Sequence, residues 1–146
     1  MKKLFKTYEG LLDKLTDLPP LFMRLMLAYG FYKPMTYKIK DFSGTADWFA
    51  SLGMPFPLLN AYMAGITELL GVIFLVFGFK TRYIAFPLII TMLVAIFTVH
   101  IDNGFNAGKN GYEIPLYYIV MLFTLMVTGS GRYSLDHIIV KRMSSK

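Results

Sequence analysis

Glu68 is the residue whose chemistry stands out first. It is the only charged side chain between Pro57 and Phe79, about eleven residues from either end of an apolar run. A carboxylate at that depth in a bilayer is costly, so it must face the interior of a helix bundle, either paired or protonated. It then serves either as a hydrogen-bonding group that fixes packing or as a group that handles a substrate or a proton. Asn60, Ala64, Glu68, Gly71, Leu75 and Gly78 recur at steps of three or four, which puts small and polar residues on one stripe. Arg24 is the natural partner, because a guanidinium holds a carboxylate bidentately. Its alternative is to snorkel to the surface. Lys33 follows nine residues later, half a turn out of phase, and belongs to a different site unless Pro34 distorts the helix. His100, Asp102 and Glu113 make a second polar group, joined by a turn rich in Gly and Asn over residues 103–112. A histidine and two carboxylates can relay protons, or they can be ordinary interfacial polarity with Glu113 capping a helix. Their spacing matches no metal-ligand motif, so no metal site is read from them. Tyr117 shares a helical face with Glu113, Thr124 and Thr128, a pattern that suits hydrogen bonding between helices.

These residues need elements to hold them, and the apolar runs supply the elements. Residues 3–17 carry Leu4, Phe5, Tyr8, Leu11, Leu12 and Leu15 on one helical face, with Lys2, Lys3, Lys6 and Lys14 around it. That pattern predicts an amphipathic helix lying in a membrane surface, ended by Asp17-Leu18-Pro19-Pro20. Four spans follow at about 20–37, 57–79, 83–101 and 114–130. The first is the weakest by hydropathy, and at roughly 18 residues it reaches about 27 Å, just enough to cross. Asp41 to Leu52 reads as a short surface helix presenting Phe42, Trp48 and Phe49. Ser134 or Asp136 is placed to cap a further helix after the last span. The domain order is an amphipathic segment at 1–19, a four-span membrane domain at 20–137 and a basic tail at 138–146. The fold class is all-α: an integral membrane four-helix bundle preceded by a surface helix.

Composition agrees with this. Of 146 residues, 55% are hydrophobic and 16% are charged, against about 25% charged in soluble domains. A soluble chain of this size cannot hide so much apolar surface. The absence of Cys excludes a thiol redox centre, Cys-ligated zinc and Cys-ligated iron–sulfur clusters. The net charge of +6 reads as the cytoplasmic excess of Lys and Arg rather than a nucleic-acid surface. With the N-terminus inside, ten Lys and Arg fall on the inner side and four on the outer, with Arg24 within a span. Both termini are therefore expected in the cytoplasm.

The ordered set of these features resembles the DoxX family of small bacterial membrane proteins. The matching pieces are Arg24, Gly30 and Lys33; Leu52-Gly53-Met54-Pro55-Phe56-Pro57; Glu68-Leu69-Leu70-Gly71; and Phe77-Gly78-Phe79-Lys80-Thr81-Arg82. They continue with His100, Gly104-Phe105, Glu113 and Gly129-Ser130-Gly131-Arg132-Tyr133-Ser134-Leu135-Asp136. The resemblance implies a four-helix transmembrane bundle. It also implies a link to quinone oxidoreductases, since the family takes its name from such a subunit. The expectation is an inner-membrane oxidoreductase, or the membrane subunit of one, binding quinone or a similar apolar ligand. Arg24, Lys33, Glu68 and Tyr117 would bind it, and Glu68, Arg24, His100, Asp102 and Glu113 would handle protons. The partners are the lipid bilayer, a redox protein that stores the electrons and, as a homo-oligomer, a second copy. The alternatives are a non-enzymatic anchor for another protein and a small-molecule or ion transporter.

Overall fold

The computed structural model describes residues 2–144, with side chains from residue 6 onward. Met1, Ser145, Lys146 and the side chains of Lys2, Lys3, Leu4 and Phe5 lie outside the described residues, and with them part of the amphipathic face and of the charge count. The described residues form seven α-helices and no strand. The first, α1 (Lys2–Leu15), is the predicted amphipathic helix.

Next comes α2 (Leu18–Lys40), whose Pro19 and Pro20 sit in the first turn, where a missing N–H removes no hydrogen bond. It runs three residues past the expected end at Tyr37. Pro34 stays inside the helix, and Phe31 and Met35 on either side of it are both buried. Their packing outweighs the one backbone bond that proline removes. The short helix α3 (Phe42–Ser51) follows at once. Asp41 Oδ1 caps it by accepting from Gly44 N at 2.8 Å.

Pro57 opens α4 (Pro57–Phe77), which stops two residues before the expected boundary because Gly78 turns left-handed at φ +63°. The helix α5 (Thr81–Ala95) continues through a π turn at Ile96–His100 and a 3-10 turn at Ile101–Asn103. An irregular loop leads to α6 (Glu113–Thr128), which ends before Gly129. The last helix is α7 (Leu135–Ser144). Ser134 caps it through His137 N. Asp136 caps a different helix: its carboxylate accepts from Lys80 N (2.7 Å) and Thr81 N (3.2 Å) at the start of α5.

Among the described residues two stretches, Pro57–Phe77 and Thr81–Asn103, are long and apolar enough to cross a membrane. Glu113–Thr128 is apolar but shorter, and α2 is long but carries Arg24, Lys33, Lys38 and Lys40. Leu27, Ala28 and Phe31 of α2, Leu75 of α4, Ile84, Ala85 and Leu88 of α5, and Leu122 and Leu125 of α6 form one core. Gly71 lets α4 and α5 meet, since a Cβ there would lie 2.8 Å from Leu88. A smaller cluster seats Ala46 and Phe49 of α3 on Ala61 of α4. The outward faces are apolar as well: Phe22, Met26, Met63, Ile66, Phe86, Val120 and Phe123 are all exposed. That distribution suits a lipid environment.

Candidate functional site

The buried stripe of α4 is Ala61, Gly65, Glu68, Gly71 and Leu75. Its upper half differs from the expected Asn60 and Ala64. Asn60 is engaged elsewhere, donating to Pro55 O at 2.6 Å and so holding the chain that enters the helix. Glu68 does face inward, at 2% exposure.

Its partner is Lys38. The ammonium donates to both carboxylate oxygens, at 3.0 Å to Oε1 and 2.9 Å to Oε2. The Lys38 side chain is 15% exposed. Gly65 makes the approach possible, because a Cβ there would stand 3.4 Å from Lys38 Cβ and 2.7 Å from Phe42 Cε1. The pair therefore joins α2 to α4 where α2 gives way to α3.

The expected Arg24–Glu68 pair does not form. Arg24 is fully buried and clamps backbone instead. It donates to Leu75 O (3.0 Å), Val76 O (3.4 Å) and Tyr133 O (2.5 Å). The last carbonyls of a helix lack intrahelical donors and carry partial negative charge, so a cation fits there. Gly78 leaves room for it; a Cβ there would fall 2.4 Å from Arg24 Nη1. Arg24 is thus a joint between α2, the end of α4 and the chain before α7, and it is not bonded to Glu68.

The other expected residues stay apart. Lys33 is exposed, half a turn away from the face that carries Arg24. Tyr117 is 48% exposed, and its hydroxyl donates to Glu113 Oε1 at 2.9 Å. Glu113 Oε2 accepts from Ala107 N at 2.9 Å. His100 Nδ1 lies 2.7 Å from Asn110 O. His100 and Glu113 each brace the 103–112 loop from opposite ends, without a bond between them among the described residues. Asp102 is exposed. No three His, Cys, Asp or Glu side chains among the described residues are grouped to hold a metal ion.

Lys38 is the partner of Glu68 that sequence reasoning missed, although a signal was present. Arg24, Leu27, Phe31, Met35 and Lys38 recur at steps of three and four, so the inward stripe of α2 carries a cation at each end. Placing the end of the span at Tyr37 assigned Lys38 to the outer loop.

A profile of the DoxX family matches residues 20–101, which include Arg24, Lys38, Glu68 and His100. The chain belongs to the DoxX family. An uncharacterized protein of Haemophilus influenzae is 35% identical, covering 86% of this chain and 86% of its own length. The Escherichia coli protein named "Inner membrane protein YphA" is 33% identical over 77% of this chain and 80% of its own. The Bacillus subtilis protein named "Putative oxidoreductase CatD" is 26% identical over 89% and 93%. No solved structure matches the chain. Family and apolar helices together make this DoxX chain a membrane protein.

Proposed function

We propose that this DoxX protein spans the inner membrane four times, with both termini in the cytoplasm. In this reading it serves as an oxidoreductase, or the membrane subunit of one, and holds a quinone or similar apolar redox ligand beside Lys38 and Glu68. The observation that carries this is the ion pair between α2 and α4. Its carboxylate is buried, its ammonium is partly exposed, and its geometry leaves a donor to spare. An ammonium has three hydrogens, and the two Glu68 oxygens take two of them. The third is left for a carbonyl oxygen of a ligand, and the partial exposure of Lys38 gives that ligand access. The residues therefore fit a quinone head group, while Arg24, spent on backbone carbonyls, does not contribute to it.

A bound quinone would supply two-electron chemistry, with the electrons delivered by a redox partner protein. The chain's own residues do the rest. Lys38 Nζ orients the ligand oxygen and can release a proton toward it. Glu68 holds the ammonium in place and can accept or return a proton at Oε1 or Oε2. Proton exchange with outer water falls to His100 and Glu113 at the rim, with Asp102 exposed beside them. The name of the Bacillus subtilis relative supports the redox part of this reading, and the name of the Escherichia coli relative supports its membrane.

The test is quinone content after gentle purification, measured for wild type and Glu68→Gln together with thermal stability. Wild type should carry quinone, and Glu68→Gln should stay folded but lose it. Unchanged quinone content in a stable Glu68→Gln protein would reduce the pair to packing. A stoichiometric protein partner without quinone would favour the anchor reading.

A further inference from the structure

The helices α1 and α7 lie outside the stretch matched to the family, and the apolar face of each is uncovered. On α1, Tyr8, Leu11, Leu12 and Leu15 share a face and are 43–59% exposed. On α7, Leu135, Ile138, Ile139 and Met143 lie toward one side at 40–67% exposure, with Arg142 on the same side.

Both helices leave the same end of the molecule. Asp17, just after α1, accepts from Arg132 N at 3.2 Å and lies 3.4 Å from Arg132 Nε. The residue that closes α1 thereby holds the loop that opens α7. Asp136, in the first turn of α7, is bonded to the start of α5. Both helices are thus tethered at this end through the residues beside their junctions.

Charge says what covers them. Lys6 and Lys14 lie on α1, Lys141 on α7 and Arg132 in the loop before α7, and Lys80 and Arg82 stand at the start of α5, to which Asp136 is bonded. The acids at this end are Glu9 and Asp13 on the polar face of α1, together with Asp17 and Asp136, which are already engaged. An apolar face flanked by lysine and arginine, at the edge of membrane helices, fits the boundary between anionic head groups and acyl chains.

We propose that α1 and α7 form a collar lying in one leaflet, apolar faces toward the acyl chains, and that the collar selects anionic phospholipids. This rests on the membrane placement but on neither the number of spans nor the side on which the termini lie.

The chain has no cysteine, so single-cysteine variants can be labelled with a polarity-sensitive dye. Leu11→Cys and Ile139→Cys report the apolar faces, Asp13→Cys and Lys141→Cys the polar ones. Ile66→Cys, on the outward face of α4, reports insertion itself. The full chain is reconstituted in vesicles of phosphatidylglycerol and phosphatidylcholine, or of phosphatidylcholine alone. In the anionic vesicles, lipid-borne nitroxide should quench positions 11, 139 and 66, and aqueous iodide should quench 13 and 141. At positions 11 and 139, but not 66, lipid quenching should fall about twofold or more in neutral vesicles or at 1 M salt, where charges are screened beyond about 3 Å. With position 66 quenched by lipid, iodide access at 11 and 139 equal to that at 13 and 141 overturns the collar. Equal lipid quenching in neutral and anionic vesicles overturns the anionic preference. Loss of lipid quenching at 66 counts against the membrane placement on which the collar rests.

Discussion

Replacing Lys38 by Met tests whether Glu68 depends on α2. Both N–O contacts are near 3 Å, and at an effective dielectric of 20 the attraction is roughly 5–6 kcal/mol. Desolvation of two charges offsets much of it, so the pair is worth little against a matched apolar pair. Removing one partner is different, because it leaves the other buried alone, at a cost of about 3–5 kcal/mol. For a chain of 146 residues, the lower figure corresponds to a fall in thermal midpoint on the order of 10 °C. Glu68→Gln should cost less, about 1–3 kcal/mol, since the amide oxygen still accepts from an ammonium that can lean toward the surface. The double variant Lys38→Met with Glu68→Gln should recover about 1–3 kcal/mol relative to the sum. Thermal midpoints in detergent for the four proteins give that coupling. The control is Arg24→Met with Glu68→Gln. The carbonyls that Arg24 binds are seven and eight residues along α4 from Glu68, or about 10 Å, so these two should add. Additivity of Lys38 with Glu68, or coupling of Arg24 with Glu68, would refute the pairing.

Three other outcomes follow from the same geometry. Gly78→Ala should lower the thermal midpoint sharply, by about 2 kcal/mol or more, because it forces a Cβ into a left-handed turn and against Arg24. Arg24→Lys should cost about 2–3 kcal/mol in the same assay, since a single ammonium cannot span carbonyls contributed by Leu75, Val76 and Tyr133. At the rim, His100→Ala should raise proteolytic cleavage within residues 103–112 whereas Asp102→Asn leaves it unchanged, because of these two side chains it is His100 that is bonded to the loop; equal cleavage in both would remove its bracing role.

Much of this architecture could be read from residue order. The runs at 57–79 and 83–101 are uninterrupted but for Glu68, and helices form there within two residues of the expected ends. The short helix over Asp41 to Leu52 and the helix start at Pro20 are local signals that read correctly, to within two residues. What escaped was set by contacts distant in the chain. Lys38 looked like a loop residue because hydropathy fades before the helix does. Asp136 looked like a cap for its own helix, yet its carboxylate goes to α5, across 55 residues of sequence. The π turn at Ile96–His100 left no mark in the pattern. Arg24 and Glu68 were matched as the two conspicuous charges within apolar runs, but a helix end rich in bare carbonyls competes for a guanidinium, and residue types alone do not reveal that competitor.

The reach of Arg24 also imposes an order on biogenesis. The arginine leaves the ribosome early, on the first long helix, and one of the carbonyls it needs belongs to Tyr133, more than a hundred residues later. Until that segment emerges, the first helix carries a cation whose final coordination does not yet exist. A chain truncated before residue 133 would hold an incompletely coordinated charge inside its helices. The side chain that joins three parts of the finished molecule is therefore fully coordinated only after the last of them has been made.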